Sequence, residues 1–175
     1  MNGPRPEQGA TYSRKTLTVL KLAFVMSGVI LGGLAYGLTE VSPVDLGAPM
    51  DDVVLYAIAG VALMNLAAGL IAPGMLIRDE LLVEEMKGAV EASRREGGAQ
   101  EASEVAWRAG ISRYTTRSIL GLAIMESAGV LGLMVALLGG EPVYAYGMIA
   151  AATLVMMAAP VSGLQTLVDR ALREV

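Results

Sequence analysis

One carboxylate, Glu126, stands inside the otherwise uncharged run "GLAIMESAGVLGLMV" at residues 121–135. It lies nine residues past Arg117, which at about 1.5 Å of rise per residue places it roughly 13 Å into an apolar helix. A charge at that depth costs several kcal/mol. No Lys or Arg stands at comparable depth, so the group is expected to be carried as the neutral acid. A neutral carboxyl donates one hydrogen bond and accepts others. Asn65 is the best-matched partner by depth, with Ser27, Ser127, Tyr36 and Thr153 as further candidates. Two chemistries fit. A Glu–Asn pair would hold two helices together, whereas a titrating carboxyl would load and release a proton. No second acid or base lies within the apolar runs to form a relay.

The rest of the composition removes most other chemistry. The 175 residues contain neither cysteine nor histidine. Disulfides, thiol nucleophiles, imidazole bases and zinc fingers are therefore excluded. No cofactor or metal is expected, and no paired nucleophile and base suggests an enzyme. The net charge of −4 argues against nucleic acid as a partner. Of the 11 methionines, most fall in apolar stretches, where thioethers fill gaps between helices. Met148, Met156 and Met157 are also of a type that can serve as soft Cu(I) ligands.

Hydrophobic residues make up 54% of the chain and charged ones only 17%, an apolar excess over an ordinary soluble domain. The excess sits in four blocks, at about 17–38, 53–77, 118–140 and 142–164. Each approaches the roughly 20 residues that cross a bilayer core, the first only if Lys21 snorkels its ammonium to the interface. The expected architecture is all-α, a four-transmembrane-helix bundle over residues 17–175. A disordered, polar arm over 1–16 precedes it, and a helical loop spans 78–117. The first block is too long for a signal-peptide core and reads as an uncleaved first helix.

Every basic residue falls in the N-terminal arm up to Lys21, in the 78–117 loop or in the tail at Arg170 and Arg173. The other two loops carry acids: Glu40, Asp45, Asp51 and Asp52 in one, Glu141 in the other. The positive-inside rule then puts both termini and the long loop in the cytoplasm, across a bacterial cytoplasmic (inner) membrane.

Within the loop, Leu82, Met86, Ala89, Val90 and Ser93 share a helical face, and Gly97 and Gly98 break the pattern. Trp107, Ile111 and Tyr114 then share another, beside Arg108, Arg113 and Arg117. An aromatic face resting at the lipid interface is the plainer reading, and a docking surface for a soluble partner the sharper one. The stretch after Pro160 reads as a short helix.

Small residues mark where helices can approach in lipid. The first block offers Gly28, Gly32, Gly33 and Gly37; the third offers Gly129 and Gly132; the fourth offers Gly147 and Ala151. They are expected to serve packing within one bundle first, and association with a second copy or a larger membrane complex second. The first and third blocks also align at an offset of 100, with Leu22, Ser27 and Gly32 matching Leu122, Ser127 and Gly132. That alignment suggests two parallel helical-hairpin repeats, in which Met26 takes the place of Glu126.

The string "AIMESAGVLGLMVALLGG" resembles the carboxylate-bearing helix of ATP synthase subunit c, where an acid followed by a small residue carries the proton; Glu126 is the matching position. The loop of 78–117 and the additional spans depart from that family. The longer stretch from "ISRYTTRS" to "MMAAP" looks like a set of uncharacterised bacterial four-span membrane proteins, through Tyr114, Arg117, Glu126, Gly139, Gly140 and Pro160. That resemblance implies the fold and no activity. The sequence thus favours a structural or accessory, complex-forming membrane protein. The alternative is a proton- or ion-coupled transport component centred on Glu126.

Overall fold

A computed structural model describes residues 6–41, 50–95, 102–159 and 163–175. The fold is all-α, and no strand occurs among the described residues. The helices are α1 (Pro6–Tyr36), α2 (Asp52–Leu76), α3 (Asp79–Arg95), α4 (Ala102–Leu137), α5 (Pro142–Ala158) and α6 (Leu164–Arg173), with a π-helical turn at Gly37–Val41. Three helical stretches are long and apolar enough to cross a membrane: Lys15–Val41, Asp52–Arg95 and Ala102–Leu137.

Local sequence sets the boundaries. Pro6 opens α1 at a position where a missing amide donor costs nothing. The helix therefore begins within the arm that reads as disordered; residues 1–5 lie outside the described residues. Asp51 caps α2, its Oδ1 accepting the Val53 amide at 2.8 Å. Gly139, at φ 72°, ends α4 in a left-handed turn. The Gly140 amide then reaches Val135 O at 2.9 Å and the Gly139 amide reaches Ala136 O at 3.4 Å, the paired bonds of a Schellman cap. Pro142 starts α5 directly afterwards.

The fourth apolar block does not form one helix over 142–164. Ala159 takes φ −57° and ψ 127°, the extended conformation favoured before a proline, and α5 stops at Ala158. Its 17 residues span about 25 Å, short of a core of about 30 Å. Gly97, Gly98 and Pro160 lie outside the described residues.

The chain forms two compact units. One comprises residues 1–20, 73–119 and 160–175. Its core joins Leu17 of α1, Leu82, Val83, Met86 and Val90 of α3, Ala106, Trp107 and Tyr114 of α4, and the apolar face of α6. Both α3 and α6 are strongly amphipathic, so each buries one stripe and leaves its charges in water. Gly110 of α4 leaves room for the end of the Met86 side chain from α3, where a Cβ would overlap Met86 Cε. Ion pairs rim this core: Lys87–Glu174 at 3.2 Å, Arg113–Glu85 at 3.1 Å, and Arg117 with Asp79.

The other unit comprises 21–72 and 120–159, and its apolar clusters draw on α1, α2, α4 and α5. Within residues 52–72 of α2 the buried positions are Leu55, Ala62 and Gly69, a seven-residue spacing that makes a narrow seam. The outer faces carry large exposed apolar side chains such as Ile30, Leu63, Met64 and Ile71. Helix α4 is the central element: 44% of its most apolar window is buried, against 11% and 17% in the windows of the other two long helices.

Trp107 is the chain's one tryptophan and is 8% exposed, so its emission reports on the α3–α4–α6 core. Val168→Asp places an unpaired carboxylate in that core, at a cost on the order of 3 kcal/mol. We predict a red-shifted emission maximum and faster proteolysis after Arg170; an unshifted maximum would mean that α6 does not cover Trp107. Acid should act in the same direction. Hydrogen bonds from Arg170 and then Lys87 hold Glu174 below its ordinary value of 4.5. A depressed carboxyl adds stability that is complete above the unfolded-state value and is lost as pH falls through the folded-state value. The tail contact should therefore loosen below about pH 4.5, and Glu174→Gln should remove that pH response.

Candidate functional site

Glu126 and Ser127 are consecutive on α4 and so point about 100° apart. That divergence decides their partners. Ser27 of α1 donates its hydroxyl to Glu126 Oε1. Asn65 of α2 donates its amide to Ser127 Oγ at 2.8 Å, and Ser127 in turn donates to Ile124 O at 2.6 Å. The pairing expected from depth, Glu126 with Asn65, does not form. Each of the two polar groups instead ties α4 to a different neighbour at one level of the helix. All four side chains are half-buried.

Among the other expected partners, Tyr36 is exposed. Thr153 bonds back along its own helix to Ile149 O at 2.8 Å. Its Oγ1 also occupies the space that a Cβ on Gly28 would need.

The expected small-residue contacts divide. Gly132 is a close approach, since a Cβ there would lie 2.7 Å from Ala145 O and 3.0 Å from Ile149 and Met148. Gly129 and Gly32 meet neighbours at ordinary contact distances, whereas Gly33, Gly37 and Gly147 face open space. The sequence reading missed Gly69, where a Cβ would come within 2.9 Å of Gly121 O. Its signal was the seven-residue spacing with Leu55 and Ala62, not a glycine pair.

Two further bonds tie α1 along α5. Thr39 in the π-helical turn shares a hydrogen bond with Tyr146 at 2.6 Å. The Lys21 ammonium donates to Ala159 O at 2.8 Å, where a cation satisfies a terminal carbonyl and meets the negative end of the helix dipole. Between these ties lies an open groove of about 410 Å³, floored by Gly28 and Gly32 and walled by Ile149, Thr153 and Leu154.

The aromatic pair proposed for a lipid interface is in neither of its expected settings. Trp107 and Tyr114 are buried, covered by α3 and α6 of the same chain. The Tyr114 hydroxyl accepts the Gly163 amide at 2.9 Å. Their arginine neighbours are engaged locally: Arg113 faces Glu85, and Arg117 pairs with Asp79 and lies over Gly74, where a Cβ would come within 3.1 Å of its guanidinium. Among the described residues no group of three or more acids is placed to hold a metal ion.

Glu126→Ala leaves the Ser27 hydroxyl without its acceptor and is expected to cost about 1 kcal/mol. Gly132→Val or Gly69→Val should cost about 1–3 kcal/mol through overpacking, while Gly33→Ala should change stability by under about 0.5 kcal/mol. Thermal unfolding in detergent micelles measures all four. Equal midpoints for Gly132→Val and Gly33→Ala would contradict the packing described.

No protein-family model, no curated protein and no solved structure matches the chain.

Proposed function

We propose that the chain is a multi-pass integral membrane protein of the bacterial cytoplasmic membrane with a structural, complex-forming role. In this reading α1, α2, α4 and α5 lie in the bilayer as four spans, and both termini and the 78–117 loop are cytoplasmic. The shortness of α5 is met by local thinning of the bilayer or by its packed neighbours. The lipid bilayer covers the exposed apolar faces. The observation that carries the reading is the use made of the polar groups in the apolar stretches. Glu126, Ser27, Asn65 and Ser127 join helices through hydrogen bonds, which is how polar side chains serve where packing cannot draw on the hydrophobic effect.

A second reading, proton or ion coupling through Glu126, draws on its half-exposed position. A carboxyl that loads protons from the membrane phase has to be reachable there, and an intramembrane acid is a functional candidate by default.

The membrane placement is tested by impermeant maleimide labelling, for which the chain's lack of cysteine provides a clean background. Glu141→Cys should label in intact cells and Glu104→Cys only after permeabilisation; the reverse pattern, or extraction of the chain by alkaline carbonate, would overturn it. Carbodiimide labelling separates the two roles. A structural Glu126 should stay unmodified at neutral pH, and Glu126→Gln should keep stability within about 0.5 kcal/mol because Gln still accepts from Ser27. Modification of Glu126 at pH 7 and above, with proton leak in liposomes that Glu126→Gln abolishes, would transfer the assignment to proton handling.

A further inference from the structure

Helix α4 has neighbours on all sides but one. In the 120–159 segment its exposed positions include Ala123, Val130, Met134 and Leu137, with Val130, Met134 and Leu137 each 43% exposed. At about 100° per residue these four fall within an arc of about 60°. On the same scale Glu126 and Ser127 lie about 50° to either side of the centre of that arc. The open stripe is therefore apolar along its middle and polar along both edges at one level. Glu126 forms one edge, and the Ser127–Asn65 pair forms the other.

Neither edge has exhausted its hydrogen-bonding capacity. Glu126 receives one bond, at Oε1, and among the described residues Oε2 has no protein partner. Asn65 uses one of its two amide hydrogens on Ser127, which leaves a second N–H and a carbonyl oxygen. A carboxyl and a carboxamide can pair, the amide N–H donating to the free carboxyl oxygen.

From this geometry we propose that the α4 stripe is the interface for a second copy of the chain, related by a two-fold axis along the membrane normal. All copies insert with the same orientation, so equal depths meet equal depths. A two-fold axis sets the left edge of one stripe against the right edge of the other, which is the isologous condition. Glu126 of each copy then faces the Asn65–Ser127 edge of its mate, and the interface holds two identical acid–amide pairings around an apolar seam. Ala123 on the seam lets the two α4 helices draw close, as small residues do between helices in lipid. The occupant is fixed by this self-complementarity: a single polar group on the stripe would fit many partners, but an acid and an amide on opposite edges at one level fit their own image.

The proposal rests on the membrane reading given above, and the experiment separates the two. Single-cysteine variants Val130→Cys and Met134→Cys, and Met64→Cys on the outer face of α2 as reference, are oxidised in native membranes, and disulfide-linked dimer is measured. Val130→Cys and Met134→Cys should cross-link at least about tenfold more than Met64→Cys. Adding Asn65→Leu or Glu126→Leu should lower the cross-linked fraction about tenfold, the size expected from losing both symmetric pairings. Glu126→Gln, which still pairs with an amide, should retain it. Equal or stronger cross-linking at Met64, absence of dimer at Val130 and Met134, or cross-linking indifferent to Asn65→Leu would each overturn the interface while leaving the membrane assignment standing. Extraction of the same variants by alkaline carbonate would instead remove the membrane reading itself.

Discussion

The bond from Ser27 to Glu126 sets the azimuth of α4, and much of the second unit follows from it. A helix in an apolar setting can rotate about its own axis at small cost, because one aliphatic face packs much like another. A carboxyl removes that freedom, since it must end on a hydrogen-bonding group. With Glu126 directed to α1, the next residue is turned about 100° away and comes to Asn65 of α2. The small faces of the same helix are then presented where they are needed, Gly121 against Gly69 and Gly132 against Ala145. One polar contact thereby selects which of several equivalent apolar packings is adopted, although its own contribution is of order 1 kcal/mol.

Sequence made some of this legible and not the rest, and the difference is physical. The apolar blocks and the amphipathic loop helix are visible because periodicity and hydropathy are properties of a single segment. The helix identity of α3 could be read in that way, and so could the presence of polar groups near the depth of Glu126. What depends on azimuth between segments could not. Depth pairs Asn65 with Glu126, but direction pairs Asn65 with Ser127 and gives Glu126 to Ser27. Trp107 and Tyr114 beside arginines fit a membrane interface equally well; only the docking of α6 shows them to be core. The acceptor of Lys21, Ala159 O, was not legible because it is far away in sequence.

The α3–α4–α6 core differs from the α1–α2–α4–α5 contacts in what stabilises it. Leu82, Met86 and Val168 are almost fully buried beside exposed ion pairs, an arrangement suited to water, where burial of apolar area stabilises and surface charges contribute little. The second unit buries mostly alanine, glycine and a few larger groups, and leaves its long aliphatic side chains outward. That inversion is the pattern expected where the surroundings are as apolar as the interior.

The bond from Lys21 to Ala159 has a consequence for biogenesis. It joins positions 138 apart, so the ribosome emits the ammonium long before its acceptor. Helix α5 emerges after α1, α2 and α4 and is shorter than any of them, and the carbonyl of its C-cap residue has its partner on α1. Until α5 has emerged, Lys21 therefore lacks this acceptor, and without α1 the Ala159 carbonyl lacks this donor. A single hydrogen bond thereby couples an early helix to a late one.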